Sequence, residues 1–138
     1  MTTYEKSADL VGRILIAAMF IDAGIPKVAA YAGTQAYMAA AGVPGALLPV
    51  VIALEVLGGI ALVVGFRTRI VAIALAAFTA LAALLFHRAP EQMQHIMFMK
   101  NLAITGGLLV LAARGAGSWS LDARNAALSA PGDVLRRS

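Results

Sequence analysis

Apolar positions fall into four long runs, residues 8–25, 46–65, 70–86 and 96–113, separated by short polar connections. A bilayer core of about 30 Å needs about 20 residues of helix, and each run comes close to that length. The runs are greasy on all sides rather than along one stripe, the pattern of helices that face lipid. The expected fold is therefore all-α: a polytopic membrane protein built as a four-transmembrane-helix bundle, with a short interfacial helix between the first two spans.

The polar interruptions set the expected boundaries. Gly24 and Pro26 should end the first span near Ile25, because Pro26 cannot donate to the carbonyl of Asp22 four residues back. The stretch from Lys27 to Pro44 is too polar and broken to cross. Within it, Thr34 is the expected N-cap of a short helix reaching Ala41. Tyr31 and Tyr37 suit an interfacial level, where aromatic rings with a polar tip prefer to sit. Phe66 to Arg69 makes a tight connection, and His87 to Gln94 a polar loop. These boundaries give a transmembrane domain over residues 1–115. Residues 116–138 then read as a polar cytoplasmic tail, with Trp119 and Leu121 at the interface and disorder from Pro131-Gly132 onward.

Composition strengthens the membrane reading. Hydrophobic residues make up 61% of the chain and charged residues 13%, against about 45–50% and about 25% in soluble domains. The formal charge of +4 would suggest nucleic acid in a soluble protein. In a greasy chain it points instead to basic loops at headgroups, and no nucleic-acid partner is expected. Cysteine is absent, which excludes disulfides and thiolate ligation within the chain. No basic n-region with a small-residue cleavage site precedes the first run, so that run is read as a retained span.

Charge asymmetry orients the spans. Lys6, Arg67, Arg69, Arg114, Arg124, Arg136 and Arg137 fall on the side of both termini, against Lys27 and Arg88 in the opposite loops. By the positive-inside rule both termini are cytoplasmic. Glu55 then lies about 13 Å from the outer end of its span, near the midplane. A carboxylate at that depth faces a protein interior, pairs with a cation, or changes protonation. Lys100 and Asn101 sit in the outer part of the fourth span, Asp22 and Lys27 at the outer end of the first, and His87 beside the outer loop. These six residues form the candidate ligand pocket, with a Glu55–Lys100 pair expected at its centre. Arg13 alone is inner, and reads as a cytoplasmic snorkeller. His87 and His95 lack a further ligand set, so no metal is expected. Phosphate-binding glycine loops, nucleophile elbows and zinc motifs are absent from the sequence, and nothing marks a stand-alone enzyme.

Over residues 10–113 the chain resembles the DoxX family of small bacterial membrane proteins. The resemblance rests on Arg13, Phe20, Gly24 and Lys27; on Glu55, Gly58 and Gly59; on Gly65, Arg67, Thr68 and Arg69; on His87; and on Lys100-Asn101 followed by Gly106-Gly107. Asp22 departs from the pattern. The resemblance implies an inner-membrane location and association with quinol- or quinone-linked oxidoreductases. It therefore suggests a small accessory subunit of a redox complex, with quinone as the one cofactor to consider. A non-catalytic assembly or anchoring factor is the alternative. A proton-coupled transporter is a third reading, weakened by four short spans without an evident inverted repeat. Partners are the bilayer itself and a membrane or redox protein, and the sequence leaves homo-oligomerisation open.

The orientation has a direct test. A cysteine placed in the loop between Arg88 and Gln94 should react with an impermeant thiol reagent added outside intact cells, and one beside Arg124 should not. The opposite labelling would invert the depth assigned to every polar group above.

Overall fold

In the computed structural model, described here over residues 1–130, the chain is helical throughout its ordered elements. Helix α1 covers Thr3–Ala29, α2 Tyr31–Ala40, α3 Leu48–Val64, α4 Thr68–Phe86, α5 Gln92–Arg114 and α6 Leu121–Leu128, with a 3-10 turn at Gly45–Leu47 leading into α3. Among the described residues there is no strand. The helical stretches Gly45–Val64, Thr68–Phe86 and Gln92–Arg114 are long and apolar enough to cross a membrane. Pro131-Gly132, where disorder was expected, lies outside the described residues.

The first helix is longer than its sequence suggests. It starts at a capping box, in which Thr2 Oγ1 accepts from the Glu5 N–H and Glu5 accepts from the Thr2 N–H, so both ends of the first turn are satisfied. It then runs through Pro26 to Ala29. Proline removes one bond, to Asp22, but the Ala30 N–H donates to the Pro26 carbonyl at 3.0 Å and the helix continues. The expected stop at Ile25 is thus corrected. Thr34 is corrected too: its hydroxyl donates back to the Ala30 carbonyl at 2.8 Å, inside α2, which already begins at Tyr31. A Thr hydroxyl can serve either the preceding turn or a cap, and only the surrounding chain decides which.

Packing occurs chiefly in two antiparallel pairs, α1 along α3 and α4 along α5, with a thinner seam between α3 and α4. The first pair is close because of small residues. A Cβ on Gly24 would fall 2.7 Å from Val56 Cγ2, and one on Gly59 would fall 2.6 Å from Ile21 Cγ1. Glycine at these crossings lets the backbones approach. Where the pairs meet, Ala17 and Phe20 of α1, Leu62 of α3, Ala72, Leu75 and Ala76 of α4, and Leu108 of α5 form one buried core. The outward faces carry exposed Leu15, Leu57, Ile73 and Leu109, as lipid-facing helices should.

The α3–α4 connection and the segment after α5 are built as one unit. Gly65 closes α3 in the left-handed region at φ +70°. Its N–H donates to Leu62 and that of Phe66 to Ala61, a Schellman arrangement that uses the last carbonyls of the helix. From α6, the Asp122 carboxylate accepts from the backbone N–H groups of Arg67 (2.7 Å) and Thr68 (2.9 Å), capping α4, while the Asp122 N–H donates to the Gly65 carbonyl at 2.9 Å. Arg13, expected to snorkel, is instead buried at 2% exposure and donates to the Trp119 carbonyl at 2.6 Å. Arg69 donates to the carbonyls of Ala112, Ala113 and Arg114 at the end of α5, and Arg114 pairs with Asp9 at 3.2 Å. Residues 115–128 are therefore a docked segment and not a free tail.

Asp122 gives this unit a pH dependence. Burial alone would raise its carboxyl, but the hydrogen bonds from Thr68 and Arg67 and the nearby Arg13 charge outweigh burial and hold it below the ordinary aspartate value. A depressed carboxylate stabilises the fold above its unfolded value, about 3.9, and loses that contribution as pH falls through the lower folded value. Thermal melts in detergent should show a loss below about pH 4 that is absent in Asp122→Asn. At neutral pH, Asp122→Ala should cost about 1 kcal/mol, as for the loss of a helix cap.

Candidate functional site: an ion pair at the floor of an apolar cavity

Glu55 occupies the middle of α3 on the face turned toward α1, and is 4% exposed. A carboxylate there is tolerated only with a cation and donors to match it. The cation comes from α1. Because α1 continues past Pro26, Lys27 remains on the helix, and its Nζ reaches Glu55 Oε2 at 2.7 Å and Oε1 at 2.9 Å. The same ammonium donates to the Ala23 carbonyl at 3.1 Å, one turn back. The ammonium thus meets one carboxylate and one carbonyl, and stays partly exposed at 27%. Gly24 makes the pair possible, since a Cβ there would lie 3.0 Å from that of Glu55.

This arrangement corrects the pairing expected from sequence. Lys100 is exposed on α5 and takes no part in the ion pair. Its neighbour Asn101, about 100° further round the helix, is partly buried and does face the site. Asp22 is exposed and makes no side-chain hydrogen bond among the described residues. His87, at the end of α4, hydrogen-bonds Gln94 through Nδ1 at 2.8 Å.

Above the pair lies a cavity of about 490 Å³, within the range that takes a small organic ligand. Its walls are mainly apolar, with Met19, Phe20, Val51, Phe78, Leu85 and Met97 among them. The polar groups it presents are Lys27, Glu55, Thr34, Tyr37, Thr79, His87 and Asn101. Thr79 spends its hydroxyl proton on the Leu75 carbonyl at 2.7 Å. Tyr37 of α2 stacks on Phe86 at the end of α4, with centroids 5.2 Å apart and planes 17° from parallel. Of the six residues selected from sequence, Glu55, Lys27, Asn101 and His87 thus border one space, whereas Lys100 and Asp22 do not. The contribution of α2 through Tyr37 and Met38 went unread. Its only signal was a tyrosine assigned to the membrane interface.

The sequence profile of the DoxX family matches residues 8–88, a stretch that contains most of α1, all of α2 to α4 and both members of the ion pair. The chain belongs to the DoxX family. Two relatives from Escherichia coli (strain K12) agree. This DoxX protein is 51% identical over 123 residues to the inner membrane protein YqjF, covering 88% of the chain and 95% of that relative. It is 37% identical over 123 residues to the inner membrane protein YphA, covering 83% and 88%. No solved structure matches the chain. The DoxX chain is accordingly an integral inner-membrane protein.

The pair should show itself in stability. Lys27→Met leaves a buried carboxylate without its cation, and should cost about 1–3 kcal/mol between the values for membrane polar contacts and for a fully buried pair. Adding Glu55→Gln to Lys27→Met should recover part of that loss. Lys100→Met should change stability by less than about 0.5 kcal/mol. Thermal unfolding of the wild type, Lys27→Met, Glu55→Gln, the double variant and Lys100→Met in one detergent measures all three statements; additive losses for Lys27 and Glu55 would exclude their coupling.

Proposed function

We propose that this protein crosses the inner membrane four times, with both termini cytoplasmic, and holds the head of a quinone or a similar small ring compound in the cavity above Lys27–Glu55. It would do so as a small accessory subunit of a membrane redox system. Helix α1 supplies the fourth span. Its length, about 40 Å at 1.5 Å per residue, is sufficient, and two charges that lower its apolarity, Arg13 and Lys27, are turned inward and bonded.

The observation that carries the reading is a half-buried ion pair at the floor of a mainly apolar cavity of ligand size. Structural pairs are usually enclosed by packing on all sides. Here apolar walls offer a ring its hydrophobic contact, while Tyr37, His87 and Asn101 offer hydrogen bonds to oxygens. The family resemblance to quinone-linked proteins points to the same class of ligand.

A second reading has an observation of its own. Lys27 finds its acceptors, the Glu55 carboxylate and the Ala23 carbonyl, within the fold, as it would in a pair that only sets helix register. In that case the protein is a non-catalytic assembly or anchoring factor for a partner protein. Titration of the purified protein with a short-chain benzoquinone separates the two. The ligand reading expects saturable binding near one per chain, abolished by Ala82→Phe, which fills the cavity, and weakened about tenfold by Tyr37→Ala. No saturable binding, together with a partner protein that co-purifies stably, would leave the anchoring role.

A further inference from the structure

The other end of the molecule carries a second depression, of about 500 Å³, walled by Arg67, Thr68, Arg69, Ile70, Arg114, Gly115, Ala116, Gly117, Asp122 and Ala123. Three arginines border one space, and its lining also holds one carboxylate, Asp122, so cations outnumber acids there. Asp122 receives the backbone N–H groups of Arg67 and Thr68. Asp9 receives Arg114 at 3.2 Å and 3.4 Å, and Glu5 caps α1. The Arg67 side chain has no acidic partner among the described residues; it lies over the Phe66 ring at 5.8 Å. Arg69 bonds the last carbonyl oxygens of α5, where the helix dipole offsets part of its charge, and forms no ion pair among the described residues. Arg114 is more than half exposed and uses one nitrogen. Most of the fifteen N–H donors that three arginines provide therefore have no partner in the fold.

The rim of this depression is apolar on one side. Ile70 of α4 lines it and is 65% exposed, and Val63, Val64 and Phe66, just ahead of Arg67 in the chain, are exposed as well. A free phosphate would use the arginines and leave that strip bare. A diacyl phospholipid would use both, with its phosphate among the guanidinium groups and its chains along the strip. Charge decides between headgroups: a zwitterionic lipid brings an ammonium toward three cations, and an anionic one does not.

We propose that Arg67, Arg69 and Arg114 form a binding site for one anionic phospholipid at the end of the molecule that carries α6. The lipid bridges the start of α4 and the end of α5, which Arg69 already joins. The site is independent of the cavity above Lys27–Glu55 and does not rest on what that cavity holds.

The test is native mass spectrometry of the full-length, delipidated protein in detergent, offered phosphatidylglycerol or phosphatidylethanolamine at equal concentration. Retention of phosphatidylglycerol should exceed that of phosphatidylethanolamine about tenfold, as expected for more than one arginine acting on one phosphate. Arg67→Gln and Arg114→Gln should each lower it about fivefold, whereas Arg88→Gln, the same charge change at the opposite end, should leave it unaltered. Arg67 contributes only its backbone to the Asp122 cap, so Arg67→Gln should keep the melting temperature. Equal retention of the two lipids, or equal losses from Arg67→Gln and Arg88→Gln, would overturn the site. Displacement of the lipid by millimolar inorganic phosphate would assign the arginines to a soluble anion instead and overturn the lipid.

Discussion

A charge inside an apolar medium must be matched where it stands, and the Lys27–Glu55 pair is where this protein meets that constraint. Glu55 is held in the middle of an apolar helix, where an unmatched carboxylate would cost several kcal/mol. Matching it dictates the register of α1 against α3. The crossing must bring Lys27 within 2.7 Å of the carboxylate, which requires α1 to remain helical beyond Pro26 and requires glycine at position 24. Three residues with no evident relation in the sequence, a proline, a glycine and a lysine, thus answer to one electrostatic demand. With α1 and α3 fixed in this way, the cavity follows, because α4 and α5 approach the first pair over Phe20, Leu62 and Leu75 and the residues above that core do not close.

The two ends of the molecule are held by different means. At the end bearing both α6 and the start of α1, separate elements are tied by charge and backbone: Asp122 to the start of α4, Arg69 to the end of α5, Arg13 to Trp119, and Arg114 to Asp9. At the other end the polar contacts stay within a helix pair or a hairpin, Lys27 with Glu55 and His87 with Gln94. Only α2 reaches across, through the Tyr37–Phe86 stack. The ties between separate elements are thus concentrated at one end, and the mainly apolar cavity lies at the other.

Much of this was legible in the residues. Four apolar runs set the number of long helices, and a lone carboxylate in one of them marked the site. Both signals are local: burial in lipid demands apolar side chains over a fixed length, and a charge in such a run stands out against its neighbours. Helix ends were less legible. Pro26 lowers the propensity to continue but does not forbid it when the next turn finds its acceptors, and the Ala30 N–H finds Pro26. The segment after Arg114 looked like a tail because its composition is polar, yet Asp122 and Trp119 supply contacts to positions more than fifty residues away.

The partner of Glu55 shows where the limit lies. Lys27 and Lys100 were both present at suitable depth, and depth along a helix follows from counting residues. Direction around the helix follows from counting too, but only relative to neighbours whose positions are already known. Lys100 points outward while Asn101 points in, a difference of 100° that has meaning only once α5 is seated on α4. The sequence by itself determined where the four long apolar helices lie and that Glu55 needs a cation. Which cation answers, which wall carries Tyr37, and that the last helix caps the fourth were decided by tertiary packing, because they depend on the relative rotation of helices that no local pattern specifies.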